Sequence, residues 1–142
     1  MNRSGYTESE PGSPAEMLAY YRYRGQVASA IRGRRGQALL RDMAEAMDAM
    51  EHKRLVPNVL VSGDEVCALG AAARLRGLAC LDDVDPEDGE RVAEILDVAA
   101  QLANEVAFMN DHLTPGETPE RRWWRMRQWV QSNLVKPDRG AV

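Results

Sequence analysis

The sequence predicts an all-α, single-domain bundle of five or six helices. Apolar residues recur at helical spacing in three segments, at least three segments resemble capped helix starts, and no two segments suggest paired strands. The chain has 142 residues and is 44% hydrophobic, which suits one domain whose core is stable without a disulfide or a structural metal. We expect residues 1–13 to form a disordered tail, residues 14–136 the helical domain, and residues 137–142 a flexible C-terminus.

The first two predicted helices flank a glycine-rich break. Ser13-Pro14-Ala15-Glu16 resembles a capping box, from which a helix runs to about Arg24. Gly25 is a candidate interruption before residues 27–31 continue. Residues 33–36 (GRRG) are expected to break the chain, because each glycine disfavours a helix by about 1 kcal/mol relative to alanine. A second helix then covers about residues 37–50, with an apolar face formed by Leu39, Met43, Ala46 and Met50.

The middle of the chain predicts a loop followed by a short helix. Residues 54–63 are expected to be a loop or a short extended piece, since they combine Pro57 with a Val-Leu-Val run. Asp64 is a candidate cap for a third helix that ends near Arg76, and Gly77 is a plausible stop.

The clearest periodic pattern follows the acidic residues 85–88, which resemble a helix cap. It predicts one long helix over about residues 89–112, with an apolar face at Val92, Ile95, Ala99, Leu102, Val106, Met109 and Leu113. Such a face fits a seam inside a bundle or a homodimer contact through this helix. A last helix starts at Thr118-Pro119-Glu120 and runs to about Leu134.

Composition and motifs argue against several classes of protein. A net charge of −4 disfavours a protein that coats nucleic acid. Phosphate-loop, dinucleotide, nucleophile-elbow and HExxH motifs are absent from the sequence, so we predict no catalytic residue, no cofactor and no enzyme. Cys67 and Cys80 stand alone, which disfavours a zinc site. With neither a signal sequence nor an apolar run of ~18 residues, we expect a cytoplasmic protein without a membrane contact.

The densest cationic segment lies around the first break in the chain. It holds Arg22, Arg24, Arg32, Arg34 and Arg35, with Tyr20, Tyr21 and Tyr23 among them. Three interpretations stay open: a solvated turn whose arginines pair with the acidic residues 82–90, a binding site for an acidic protein surface, or a nucleic-acid site. Of the two binding sites we place the acidic protein surface first, because no helix-turn-helix pattern supports nucleic acid.

The last predicted helix carries three tryptophans. Its core face consists of Trp123, Met126, Val130 and Leu134, with Trp129 at the border. Trp124 lies on the polar side, beside Arg127. An exposed tryptophan next to arginine is typical of interaction hot spots, whereas a cation–π contact within the domain is the alternative.

Two further groups have ordinary structural explanations. Met43, Met47, Met50 and Met109 have the spacing of core residues, although adaptable methionines also line promiscuous grooves. Glu105 and His112 are capable of acid–base chemistry, but His112 falls at a predicted helix end, where histidines commonly face the helix dipole.

Four segments together resemble a family of small uncharacterised phage- and prophage-encoded proteins. They are residues 24–37, 66–71, 85–88 and 117–130, in the same order, and the likeness spans roughly residues 20–132. The resemblance implies an infected or lysogenic bacterium as the setting, and no residue roles follow from it. Our leading hypothesis is an accessory protein that binds host or phage machinery, with inhibition of a host defence complex, as by anti-CRISPR proteins, as one such role. A nucleic-acid-binding regulator that uses segment 22–35 is the alternative.

Overall fold

The computed structural model describes residues 12–79, 81–111 and 115–136 and confirms the predominantly helical fold. Its helices are α1 (Pro14–Arg32), α2 (Arg34–Asp48), α3 (Ala68–Leu75), α4 (Gly89–Leu96), α5 (Ala100–Asp111) and α6 (Pro119–Asn133). A hairpin of two-residue strands, β1 (Val61–Ser62) and β2 (Glu65–Val66), precedes α3, and a 3-10 turn covers Leu81–Asp83. No helix in these ranges has the length and apolar character needed to cross a bilayer.

Several predictions lie outside the described residues. They concern most of the predicted tail (residues 1–11), the predicted flexible C-terminus (residues 137–142), and Cys80, His112 and Leu113.

The core lies between α2 and the four later helices. α2 contributes Leu39, Leu40, Met43 and Met47, all fully buried. The facing side chains come from five other parts of the chain: Leu55, Leu69, Leu96, Leu102, Val106, Met126 and Val130. Burying one such side chain stabilises the fold by about 1.5–3 kcal/mol, so the four side chains of α2 contribute a large part of the stability of the core.

The first helix is longer than the sequence suggested. Ser13 caps it as expected, since its Oγ accepts a hydrogen bond from the Glu16 amide at 3.1 Å. The prediction of an interruption at Gly25 is wrong, because α1 continues to Arg32. One exposed glycine costs about 1 kcal/mol in a helix, which the burial of Val27 further along offsets. The chain breaks at Gly33 alone, and α2 begins three residues earlier than predicted.

The hairpin displaces the start of the third helix. Residues 61–62 pair with residues 65–66 in antiparallel register, and Gly63 adopts the left-handed region with φ 61°. Asp64 therefore lies in the turn, and its prediction as a helix cap is wrong. Cys67 caps α3 instead, with its Sγ accepting a hydrogen bond from the Gly70 amide at 3.4 Å. Gly77, with φ 72°, ends this helix region as predicted.

The predicted long helix is two helices. α4 ends at Leu96, Asp97 adopts a left-handed conformation with φ 55°, and α5 starts at Ala100. The apolar spacing continues across this break because both helices turn their apolar sides to the same core. Val92, Leu102 and Val106 are buried within one chain. Ile95, Ala99 and Met109 are partly buried, and the homodimer contact through this face stays a prediction.

A buried asparagine joins the end of α5 to three other segments. The Asn110 Oδ1 accepts a hydrogen bond from the Ala68 amide at 3.2 Å, and its Nδ2 donates to the Val56 carbonyl at 3.0 Å. Its own carbonyl accepts from Arg122 Nε at 2.8 Å. Asn110 is fully buried, so losing any of these bonds would leave a polar group without water, at a cost of about 1–3 kcal/mol.

The start of α6 is held by a buried carboxylate between two arginines. Only 4% of the Glu117 side chain is exposed, and its oxygens accept from Arg125 at 2.7 and 2.8 Å and lie 3.4 Å from Arg122 Nε. Hydrogen bonds from Arg125 hold the pKa of the Glu117 carboxyl below its ordinary value of 4.5, although burial acts in the opposite direction.

The lowered pKa of Glu117 predicts a loss of stability in acid. A carboxyl whose pKa is depressed by folding stabilises the native state above its ordinary pKa of 4.5, and this contribution is lost as the pH falls through the lowered value. Glu117→Gln should lower the free energy of unfolding at pH 7 by about 1.5–3 kcal/mol. Below pH 4.5, the free energy of unfolding of this variant should fall less steeply than that of the wild type. Urea unfolding as a function of pH measures both effects. Glu94→Gln, at an exposed ion pair, is the control, and parallel pH profiles for Glu117→Gln and the wild type would contradict the assignment.

Candidate functional site

The outer side of α1 continues into the first turn of α2 as one cationic surface. Tyr21, Arg22 and Arg32 follow Leu18 by three, four and fourteen residues, which places all four on one side of α1, opposite the buried Val27. Arg34 follows directly at the start of α2. All five of these outer residues are exposed. We call Leu18, Tyr21, Arg22, Arg32 and Arg34 the arginine face.

The five predicted arginines divide into two groups. Arg22, Arg32 and Arg34 are exposed and make no ion pair within the described part of the chain. Arg24 and Arg35 are engaged with Glu105 and Asp97. Pairing with the acidic residues 82–90, one of the three interpretations, does not occur for any of these arginines within the described ranges.

Arg24 fastens α1 to α5. Its guanidinium donates two hydrogen bonds, of 2.9 and 2.7 Å, to the two carboxylate oxygens of Glu105, a residue only 5% exposed. Gln101, one turn earlier on α5, donates to Gln26 at 3.2 Å. Planar, bidentate pairs of this kind are geometrically specific. Arg24 is therefore a positioning residue, and Glu105 is committed to a structural ion pair.

The turn between α1 and α2 is fixed by a close backbone contact. A Cβ on Gly36 would lie 1.8 Å from the Ala30 carbonyl oxygen, so only glycine fits there. Gln37 donates to the carbonyls of Ile31 at 2.8 Å and Asn133 at 3.0 Å, which ties the turn to the end of α6. The packing thus sets the positions from which Arg32 and Arg34 project.

Acidic groups are absent from the sequence on either side of this turn. Residues 17–41 contain six arginines and no Asp or Glu. The first turn of α2 carries two of these arginines, and its N-cap, Gly33, provides no side-chain hydrogen bond. A helix N-terminus bears a partial positive charge, which adds to that of the arginines. The turn therefore favours an anionic partner.

The first half of α1 extends away from the core. Every residue from 14 to 22 is exposed, including Met17, Leu18, Tyr20 and Tyr21 at 45–63%. The Tyr20 and Tyr21 rings touch edge to face, with centroids 5.7 Å apart. An isolated helix this short is marginally stable in water. The molecule therefore presents an apolar, aromatic helix segment that its own core does not cover.

Trp124 lies apart from the arginine face. It is 63% exposed, as the sequence predicted, and the described cation–π contact, from Lys53, is to Trp123 instead. Trp123 donates to the Met47 carbonyl, whereas Asn133 lies beside Gln37, so α6 runs antiparallel to α2. At 1.5 Å per residue, Trp124 is roughly 14 Å along α6 from the arginine turn. The structure thus separates Trp124 from the arginines.

A groove that no sequence pattern indicated lies between the end of α2, the hairpin and α3. Its volume is about 650 Å³, and its apolar lining comes from Ala46, Ala49, Met50, Val66, Ala71 and Leu75. Three separate segments supply these residues, so no local pattern reveals the groove. Among the described residues, no three His, Cys, Asp or Glu side chains are grouped as metal ligands.

No known protein family, curated protein or solved structure matches the chain. The assignment of the site therefore rests on the geometry and charge described above.

The close contact at Gly36 predicts contrasting effects for two glycine substitutions in the same region. Gly36→Ala should destabilise the protein by about 1–3 kcal/mol, because the added methyl group forces the Ala30 backbone away. Gly25→Ala should stabilise it by about 0.5–1 kcal/mol, because nothing lies within 4 Å of the new Cβ. Urea unfolding of both variants is the measurement. Equal stabilities would show that α1 does not pack against α2 in this way.

Proposed function

We propose that the protein acts by binding an acidic macromolecular surface, in the first place that of another protein, through the arginine face. The observation that carries this proposal is the exposure of Arg22, Arg32 and Arg34 without ion pairs, beside exposed Leu18 and Tyr21. No acidic residue interrupts the sequence from residue 17 to residue 41.

The composition of the arginine face favours a protein partner. Tyrosine and arginine are enriched among residues that dominate binding energy, and a partly apolar centre is typical of protein interfaces. Leu18 and Tyr21 supply such a centre, while the arginines around it attract and orient an acidic partner. Because these three arginines have no partner within the described chain, they are free to pair with another molecule.

Nucleic acid is the second candidate partner. It is favoured by the start of α2, where Arg32 and Arg34 flank a helix N-terminus whose amides have no side-chain cap. Such a terminus suits a phosphate group. The exposed Leu18 and Tyr21 and the net charge of −4 favour protein over nucleic acid.

The resemblance to phage- and prophage-encoded proteins gives the proposal a setting. From it we infer that the protein acts in the cytoplasm of an infected or lysogenic bacterium and binds host or phage machinery there. Inhibition of a host defence complex is one role that this mode of action suits.

A charge-reversal pair tests the proposal. Arg32→Glu with Arg34→Glu should weaken partner binding at least tenfold and leave folding nearly unchanged. A glutamate in the last turn of α1 destabilises that helix, whereas a glutamate in the first turn of α2 stabilises that one, so the two effects on folding offset each other. Arg91→Glu with Arg121→Glu changes the net charge equally at other exposed positions and should bind normally.

The partner is first captured on the immobilised protein from nuclease-treated and untreated bacterial lysates and is then titrated as a purified component. Binding to duplex DNA should fall on a log–log salt plot with a slope of about −0.9 per phosphate contact, and a protein interface should respond less. Equal binding by both double variants would contradict the role of the arginine face. Loss of the captured partner after nuclease treatment, with the steep slope, would establish the second candidate instead.

A further inference from the structure

The groove between the end of α2, the hairpin and α3, which we call the α2–α3 groove, is a second uncovered apolar surface. Its apolar lining consists of Ala46, Ala49, Met50, Val66, Ala71 and Leu75. Val66 and Ala71 are buried at its base, whereas Ala49 and Leu75 are exposed at its edges. Its volume of about 650 Å³ falls within the roughly 300–1,000 Å³ typical of pockets that hold a compact ligand. Two or more apolar side chains from another chain therefore have room in it.

The rim of the groove carries three acidic side chains, Glu51, Asp64 and Glu65, and two arginines, Arg54 and Arg74. Arg74 donates to the Gly63 and Asp64 carbonyls, and Arg54 lies 3.3 Å from both Glu65 and Glu120. Arg54 is thus paired with carboxylates, whereas the hydrogen bonds of Arg74 go to neutral carbonyls and leave its charge unpaired. The carboxylates of Glu51 and Asp64 have no ion pair within the described residues. Together with Arg74, these two carboxylates leave the unpaired groups of the rim with a net negative charge, which complements an apolar segment that carries a cation.

The first half of α1 is such a segment. Leu18 and Tyr21 are one turn apart on the same side and are 52% and 63% exposed. Arg22 follows on that side, and Gly25, one turn further along, leaves space for a close approach. Anchors at this spacing are characteristic of a helix that binds in a groove. Because all of residues 14–22 are exposed, the segment does not fill the groove of its own molecule.

We propose that the α2–α3 groove binds the first half of α1 from a second copy of this chain. Leu18 and Tyr21 enter the apolar groove, and Arg22 faces Glu51 and Asp64 at the rim. The contact is head to tail, because the two surfaces differ, so it extends into short oligomers or closes into a ring. It does not rest on the proposed function, since it requires no other macromolecule, but it covers Leu18, Tyr21 and Arg22, so self-association competes with partner binding for these three residues.

Complementary variants test this contact on the purified full-length protein. Leu18→Glu with Tyr21→Glu alters the docking helix, and Ala49→Arg with Leu75→Arg alters the groove, all at exposed positions. Val135→Glu, at a residue 60% exposed beside the opposite end of α2, is the matched control. Sedimentation equilibrium over increasing protein concentration gives the masses. Circular dichroism checks that each variant is folded. If a double variant loses helical signal, the single variant Tyr21→Glu replaces it for the helix and Leu75→Arg replaces it for the groove.

The wild type and the Val135→Glu control should associate as the concentration rises, and each double variant should associate at least tenfold more weakly. An equimolar mixture of the two double variants should form a heterodimer and nothing larger, because one intact helix then meets one intact groove. Arg32→Glu with Arg34→Glu should associate like the wild type, which separates this test from that of the proposed function. A wild type that stays monomeric, a helix or groove variant that associates normally, or a mixture that stays monomeric would overturn the proposal.

Discussion

The contact between Gly36 and the Ala30 carbonyl is the constraint on which the arrangement of α1 depends. No side chain fits between these two backbones, so the last turns of α1 and the first turn of α2 are held at one distance and angle. Val27 is the fully buried residue of α1, and Arg24 adds a bidentate pair to Glu105. These contacts fasten the second half of the helix. They leave its first half outside the core and place Arg32 and Arg34 on either side of a rigid turn.

The remainder of the molecule is held differently. Asn110 joins α5 to α3, α6 and the segment that precedes the hairpin, and Glu117 fixes the start of α6 between two arginines. Polar groups buried in this region are matched by partners, which favours one rigid arrangement. The first half of α1 has neither buried side chains nor contacts of this kind. Binding surfaces are commonly found on such weakly held elements, because their exposed groups are free to pair with another molecule.

Sequence patterns predicted those features that depend on a few neighbouring residues. The caps at Ser13 and Thr118, the stop at Gly77, and the core face of α6 are of this kind. Features that depend on distant residues were missed. The apolar spacing gave no sign of the break at Asp97, because the pattern continues across it. Cys67 caps α3 because the hairpin displaces the start of that helix. Strands of two residues are too short to leave a recognisable sequence pattern, so the hairpin was not predicted. The pairs Arg24–Glu105 and Arg35–Asp97 join residues 81 and 62 positions apart, so the sequence alone left all five arginines equivalent.

Amide hydrogen exchange along α1, at a concentration where the protein is monomeric, tests the central claim most directly. If the second half of this helix is fastened to the core and the first half is free for a partner, amides of residues 28–32 should exchange slowly, like those of α2. Amides of residues 18–22 should exchange with little protection, because opening there exposes no buried surface. Equal, strong protection along the whole of α1 would contradict the account, since the first half would then belong to the core and its exposed side chains would need another explanation.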